Sequence, residues 1–595
     1  MASWLEAQGD LSQLSETETF KNRSRGLYGT IAADLATPSD HFSEESVQLL
    51  KHHGSYQQDN RDERKARKKA GLDWHYSMML RTKFPGGILN AEQYLLCDEL
   101  CDKYGQGDIR ATSRQDFQFH GVIRGNFRPL IHDLNKLGQI TSLGGCGDVV
   151  RNTMANPVAD IDLAYKDCGL DLIQLAQRIS DATLPTTRSY YELWLDNERA
   201  TVHPDGTVTY GGETEEVEDP LYGVQYLPRK FKIGVGTDFD NSCDLYTQDL
   251  GIMALTEIGK IIGYEILAGG GLGFSHTLER TYPRAASHVA FVETVDEVLE
   301  ITIAIVKVQR DYGERTDRKQ ARLKYTIDRL GVPAFQEKIY EYAAKRFAAP
   351  RNVKPSDQPD YLGWHKQIQP GLNYVGVWVE NGRLKDFENS FQFRSGLRAI
   401  IAKYRPSVRV TPHHNIILAN IKDEDVHDVQ QMLNEYKLPT DQGISTLRRM
   451  EMACPALPLC GLAMSESERV FPSIMEGLEQ AGHGDAKVII RMTGCPNGCA
   501  RSSSSEIGLI GKGVKQYVLT VGADYVGTRV NEILIPKIKE EEIVPRIAQM
   551  LTLWKEQRTE GEGFGVWSHR VGIEKLRDLL GIVVVKKAGA DEDAE

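Results

Sequence analysis

Apolar and polar positions along this chain alternate in short runs, interrupted by a few stretches with helical spacing. From Met78 a strand leads into Leu80-Arg-Thr-Lys-Phe-Pro-Gly-Gly-Ile-Leu89, and Ala91 to Tyr104 follows as a helix. Cys97 and Cys101 share one face of that helix beside Leu95 and Leu96, so they read as core packing rather than half a metal site. Asp108 to Val122 alternates at Phe117, Gln118, Phe119 and His120 and reads as a strand. The block recurs: Val377 to Leu384 opens a second strand–helix–strand unit that ends in Ser407 to Leu418. Arg110 matches Arg409, Thr112 matches Thr411 and Asp116 lines up with Asn415, all at an offset of 299. Two such copies predict a pseudo-two-fold domain built by their pairing.

Residues 144 to about 345 form a long α/β region. Its polar stretch Gly211 to Asp219 reads as a surface turn, Tyr226 to Val235 as a strand, and Lys260 to Leu272 as a strand ending in three glycines. Residues 431 to about 570 repeat the idea, with strands at Lys487 to Met492 and Tyr517 to Val521 around a cysteine loop and Arg529 beyond. Pro- and Asp-rich residues 348–362 read as a linker. The last ten residues are small and acidic, which predicts a disordered tail. Arg61 to Lys69 is rich in basic residues of mixed company and reads as a solvated helix face.

A length of 595 residues exceeds one hydrophobic core and predicts about three domains. A net charge of −12 speaks against wholesale nucleic-acid binding. No run approaches the ~20 apolar residues of a membrane span, and the first ten residues look like neither a signal nor a transit peptide, so a cytoplasmic protein is expected. Nine cysteines over this length form no disulfide framework.

Four of the nine lie in two short loops, Cys454-Pro-Ala-Leu-Pro-Leu-Cys460 and Cys495-Pro-Asn-Gly-Cys499. Four thiolates suit a cubane iron–sulfur cluster. Structural zinc prefers closer pairs, and C-x5-C fits it poorly. With Arg491 to Cys499 as their core, these loops closely resemble those of the sirohaem and [4Fe–4S] sulfite and nitrite reductase haemoproteins. The resemblance runs from about Gly29 to Ile582, with separate motifs in the family's order. It implies an α+β fold of three domains with an internal pseudo-two-fold repeat: a ferredoxin-like repeat domain and two related α/β sirohaem-binding domains. The division expected is an N-terminal extension (1–70), the paired repeat (71–143 and 360–430), a sirohaem and substrate domain (144–345), a linker (346–359), an iron–sulfur domain (431–585) and the acidic tail (586–595).

The resemblance also implies one sirohaem and one [4Fe–4S] cluster, with Cys454, Cys460, Cys495 and Cys499 as cluster ligands and Cys499 bridging to the sirohaem iron. Over the sirohaem it places Arg81, Arg151, Lys230 and Lys232, residue types suited to a small oxyanion. Sirohaem carries many carboxylates, so further cations are candidates to hold it: Lys83, Arg114, Arg229, Arg315, Arg318 and Lys319. Gln118, His120, Asn156 and Asn497 are neutral candidates, and Gly269, Gly270 and Gly271 would let backbone approach the macrocycle. No Gly-Lys-Ser/Thr follows those glycines, which excludes a Walker loop. The activity implied is six-electron reduction of sulfite to sulfide. Nitrite is the alternative substrate, and Lys232, where nitrite-type relatives tend to have Asn, favours sulfite. A non-catalytic iron–sulfur carrier would need none of the four cations. No dinucleotide or flavin motif stands out, so electrons are expected from an NADPH flavoprotein or from ferredoxin.

Overall fold

The computed structural model describes residues 13–168, 172–195, 200–202, 208–210 and 218–583. The helix Ala91–Tyr104 starts on a capping box: Asn90 accepts from the Gln93 amide at 2.8 Å, and the Gln93 side chain accepts from the Asn90 amide at 3.1 Å. Its buried stripe is Ala91, Tyr94, Cys97, Asp98, Leu100 and Cys101, so both cysteines are core. Burial pushes the Cys101 thiol up to about 12.

The expected strand over Asp108–Val122 is instead a hairpin, Ile109–Ala111 against Phe117–Val122. The turn between them closes through the Thr112 amide on the Asp116 carbonyl (3.0 Å) and the Thr112 hydroxyl on the Asp116 carboxylate (2.6 Å). Alternation along Phe117–His120 separates two buried faces. Phe117 packs on Phe84 and Tyr94, while Gln118 and His120 turn to the polar side.

The two halves of the repeat build sheets of the same order. One runs Ser55–Asp59, Tyr76–Arg81, Phe117–Val122, Ile109–Ala111, Arg383–Leu384. The other runs Gly363–Lys366, Leu372–Val377, Ile416–Lys422, Ser407–Val410, Ile88–Leu89. Each half lends its last short strand to the other's sheet. Glycine is required at both crossings: Gly87 and Gly382 have φ of 78° and 74°, and a Cβ there would lie 2.5 Å from the Val410 carbonyl and 2.4 Å from the Ala111 carbonyl. Val410 and Ala111 are themselves related by the 299-residue offset.

The remaining two sheets also match. Met452–Ala453, Ile490–Thr493, Ile507–Gly513, Gln516–Val521 and Glu532–Lys539 pair as parallel, parallel, antiparallel, antiparallel. Ile233–Thr237, Leu250–Glu257, Lys260–Ala268 and Ser287–Val292 repeat that sense, and parallel bridges Val150↔Phe231 and Met154↔Gly234 stand in for the first strand. The strand expected from Tyr226 therefore begins only at Ile233. Pro228 has no amide to donate, and the residues after it face the irregular segment 148–154 rather than a strand.

The linker is held down rather than free. Ser356 donates to the Asp238 carbonyl (2.7 Å), Asn241 to the Asp357 carbonyl (2.9 Å) and Gln358 to Asp244 (2.9 Å). The N-terminal helix Glu16–Arg23 sends Glu18 and Lys21 into the protein, where they are fully buried. Among the described residues no helix is long and apolar enough to cross a membrane. The acidic tail and all but the end of the turn Gly211–Asp219 lie outside the described residues.

Candidate active site and cluster loops

Cys454 follows one strand and Cys495 follows its parallel neighbour, with Met452 opposite Arg491 and Ala453 opposite Met492. Parallel pairing delivers both loops to the same sheet end. Gly494 locks them together: its amide donates to Cys454 Sγ at 3.2 Å, and a Cβ there would lie 2.5 Å from Ala456 Cβ. The second loop rests on the segment after the glycine run. Phe274 donates to the Pro496 carbonyl (3.0 Å), and a Cβ on Gly498 would meet Leu272 at 2.9 Å. The first hairpin turn closes the other side, with Ser113 donating to the Cys499 carbonyl (3.0 Å) and Arg501 to the Ser113 carbonyl (3.1 Å). Arg61 covers Cys460: its amide reaches the Pro458 carbonyl (3.3 Å) and its guanidinium the Cys460 carbonyl (3.2 Å) and that of Ala463.

As free thiols Cys454, Cys460 and Cys495 hold their protons. Burial first, then the neighbouring Cys499, pushes Cys454 up to about 12, and the same two causes raise Cys460 and Cys495. A bound metal centre is what would stabilise thiolates here. Among the described residues no three His, Cys, Asp or Glu side chains converge on a single-ion site. Zinc needs its ligands about 2.3 Å from one centre. A cubane spreads its ligands over four corners and so does not require four thiols to converge on one point.

Facing Cys499 is a pocket with an excess of cations. Lys230 and Lys232 are half-buried, and neither ammonium has a hydrogen-bonding or carboxylate partner among the described residues. Phe231 between them bridges to Val150, so both still share a side although they precede the strand. Burial, then Arg229, Arg151 and Lys232, hold Lys230 well below the ordinary lysine value. Burial, then Arg114 and Arg322, bring Lys232 down to about 7, with Cys499 acting the other way. Lys83 is buried without a partner and lies near 8 for the same first reason. Burial opposes the Arg81 charge, but Cys146, Asp116 and Tyr56 hold its pKa above the ordinary value. Arg151 is fixed by the Gly147 carbonyl (3.2 Å) and the Tyr56 hydroxyl (3.2 Å). With its amide turned so that nitrogen faces His120 Nε2 (3.2 Å), Gln118 accepts from Arg81 Nε at 3.1 Å. Arg114 donates to Gln248 (2.9 Å) and the Ile233 carbonyl (2.9 Å), leaving Nε unmatched.

Arg229 and Arg318 lie at the pocket's edge around Asp148 (3.8 and 2.9 Å). Asn497 lines its inner end with Arg114, Lys232 and Arg322. Three expected cofactor residues are not brought in. Arg315 is buried on Glu18 (2.5 Å) and the Tyr226 carbonyl (2.7 Å), an anchor for the lysine segment. Asn156 is spent on Asp240 (2.9 Å) and Ser242 (2.8 Å), and Lys319 is exposed. The run Gly269–Gly271 has an internal reason: a Cβ on Gly270 would lie 2.3 Å from the Tyr246 carbonyl, and one on Gly269 2.6 Å from Ile327. The reading from sequence missed Tyr56, which sits in the N-terminal extension, and Arg322, which pairs with Asp249 at 2.8 Å.

A cavity of about 680 Å3 lies elsewhere, and sheet register explains it. Residues 151–157 read Arg-Asn-Thr-Met-Ala-Asn-Pro and residues 449–455 read Arg-Met-Glu-Met-Ala-Cys-Pro, and Met154 and Met452 hold equivalent bridges. Carried through both sheets, this match sets Arg449 where Arg151 stands and Lys487 where Lys230 stands. Asn156, Asp162, Asp238 and Ser242 take the four cysteine positions. The cavity is thus the pseudo-two-fold image of the cationic pocket. Its Arg449 is neutralised by Asp360 of the linker (2.6 and 3.0 Å), and Asp240 and Asp162 accept from Tyr165 (2.6 Å) and Tyr374 (2.5 Å). It has no cysteine in its lining, and its exposed Lys487 lies over the Tyr525 ring (4.6 Å).

The family model described as "Nitrite and sulphite reductase 4Fe-4S domain" matches residues 174–347 and 446–587, and "Nitrite/Sulfite reductase ferredoxin-like half domain" matches 75–137 and 365–436. The "Sulfite reductase [NADPH] hemoprotein beta-component" of Geobacillus kaustophilus (strain HTA426) is 39% identical over 566 residues, 94% of this chain and 96% of that protein. Its namesake from Staphylococcus haemolyticus (strain JCSC1435) is 38% identical over the same shares. The solved Mycobacterium tuberculosis NirA protein shares the fold, with a TM-score of 0.75 at 22% identity over 97% of this chain and 99% of that one.

Proposed function

The chain belongs to the nitrite and sulphite reductase family, and from that premise we propose that it is a haemoprotein reducing sulfite to sulfide by six electrons. The observation that carries the substrate is the pair Lys230 and Lys232, two ammonium groups without anionic partners beside two fixed guanidinium groups and Cys499. Sulfite is a dianion and nitrite a monoanion, so a second lysine benefits sulfite more.

Cys454, Cys460, Cys495 and Cys499 would hold the [4Fe–4S] cluster. Lys83, Arg114, Gln118, His120, Arg229 and Arg318 would meet the sirohaem carboxylates, for which the unmatched Lys83 Nζ and Arg114 Nε are ready donors. When bound, the coupled cofactors supply electrons one at a time. The protein's part is orientation and protons. Arg81 and Arg151 present rigid forks to the sulfite oxygens. Lys232 Nζ, with a pKa of about 7, is partly protonated at neutral pH and in that form releases its proton readily to an oxygen leaving as water. The arriving anion raises the lysine pKa again and favours reprotonation.

The printed names of the relatives include NADPH and a beta-component, and this chain has no dinucleotide fingerprint. We therefore assign it a separate NADPH flavoprotein as electron source, with ferredoxin the alternative. All nine cysteines are unpaired, in keeping with a reducing, cytoplasmic setting. Anaerobic turnover with reduced methyl viologen, comparing kcat/KM for sulfite and nitrite, tests the proposal. Preference for sulfite with stoichiometric sulfide is the expected result, and preference for nitrite overturns the substrate assignment.

A further inference from the structure

Electrons must enter through the protein surface, and the side of the cluster loops away from the cationic pocket carries an unusual combination of residues. We propose that the helix Arg64–Lys69, together with the apolar lip Leu462, Met464 and Val514, is the docking site for an acidic one-electron carrier protein. The proposal rests on the redox function above and names the kind of partner that serves it.

The helix buries none of its residues. Arg64 is paired with Asp59 (2.6 Å) and Arg67 lies 3.9 Å from Glu63. Lys65, Lys68 and Lys69 are exposed and have no carboxylate or hydrogen-bond partner among the described residues. These lysines stand out on a chain of net charge −12. A positive region on a negative protein steers a negative carrier to that spot and repels it elsewhere.

Arg61, just before the helix, is fastened to the carbonyls of Pro458 (3.3 Å) and Cys460 (3.2 Å). The basic helix is therefore tied to the loop that carries a cluster ligand. Beyond Cys460, Leu462 is 65% exposed and Met464 41%. The Ser465 hydroxyl donates to the Gly513 carbonyl (2.6 Å) and the Gln516 carbonyl (2.9 Å), which brings Val514, 80% exposed, to the same lip. An apolar centre with a charged rim is the anatomy of a transient protein interface. Cys499 faces the substrate pocket, which leaves the Cys460 side as the way in.

The test uses the full holoenzyme, sulfite, and two electron donors: reduced flavodoxin as the acidic protein carrier and reduced methyl viologen as a small one. In the variant K65E/K68E/K69E, KM for flavodoxin is expected to rise at least about tenfold at low ionic strength. The difference should shrink at high salt, while viologen-driven turnover stays within about twofold. L462D is expected to slow flavodoxin-driven turnover alone. An unchanged KM for flavodoxin in the triple variant overturns the proposal, as does an equal fall with both donors. A wild-type enzyme that cannot turn over sulfite even with viologen overturns the functional reading itself.

Discussion

Replacing Lys232 by Asn removes one charge from the pocket and keeps a side chain able to hydrogen-bond. At a contact distance of about 4 Å and an effective dielectric of about 20, one charge acting on a monoanion is worth about 4 kcal/mol, and on a dianion about twice that. Lys232 is half-buried and titrates near 7, so solvent screening and partial protonation cut these values by about half. The expected losses are then about 4 kcal/mol for sulfite and about 2 kcal/mol for nitrite. The difference of about 2 kcal/mol corresponds to about 30-fold in relative kcat/KM. The assay is anaerobic steady-state kinetics with reduced methyl viologen on both substrates, with the visible spectrum confirming equal cofactor content in wild type and K232N. If both substrates lose the same factor, Lys232 does not discriminate by charge, and the electrostatic argument for sulfite fails.

The same lysine sets a pH limit. Its proton must be present for donation, and with a pKa of about 7 in the substrate-free pocket the kcat/KM for sulfite should fall with rising pH above neutrality, approaching tenfold per unit, while the limb in kcat should lie at higher pH; in Lys232→Arg, which keeps its charge, that alkaline limb should disappear. Glu18→Gln breaks a fully buried group from Lys21 and Arg315 (each 2.5 Å) and should cost about 3–5 kcal/mol, read as a lowered calorimetric unfolding temperature. Gly494→Ala forces a Cβ to within 2.5 Å of Ala456 and should lower cluster iron content while far-UV circular dichroism is unchanged; full iron loading would refute the locking role.

What could be read from the chain was whatever depends on local spacing. The helix Ala91–Tyr104 was legible because its cap and its stripe both lie within it. The repeat was legible because Thr112 and Asp116 sit in a turn whose chemistry is local. The cysteine loops could be paired on paper, but their side-by-side placement depends on two parallel strands, Met452–Ala453 and Ile490–Thr493, with a helix between them in sequence. Arg315 was misplaced for a different reason. Its partner Glu18 lies almost 300 residues earlier, in an extension with no motif to announce it. Gly269–Gly271 looked like a ligand cradle because close backbone approach reads the same whether the neighbour is a cofactor or, as here, the Tyr246 carbonyl.

The image cavity shows why one of the two related pockets keeps the cations. Sheet register makes Asp244 and Arg501 equivalent, each in the left-handed conformation ahead of a short 3-10 turn (φ 47° and 56°). They meet each other, with Arg501 Nε 2.5 Å from Asp244 and Arg491 adding a second contact at 2.8 Å. On a two-fold axis a residue faces its own copy. Two aspartates or two arginines there would be like charges buried without solvent, a costly arrangement. The axis therefore forces the halves apart in charge at its centre. Asp244 lies in the half whose loop has Asp238 and Ser242 at the cysteine positions, and Arg501 directly follows the loop that keeps Cys495 and Cys499. Across the axis the linker then supplies Asp360 to neutralise Arg449, while Arg151, its counterpart, meets only a carbonyl and a tyrosine hydroxyl and stays available to an anion. A difference that packing imposes at one buried ion pair is thus continuous with a difference between the two related pockets, one whose arginine is neutralised by the linker and one whose arginine is not.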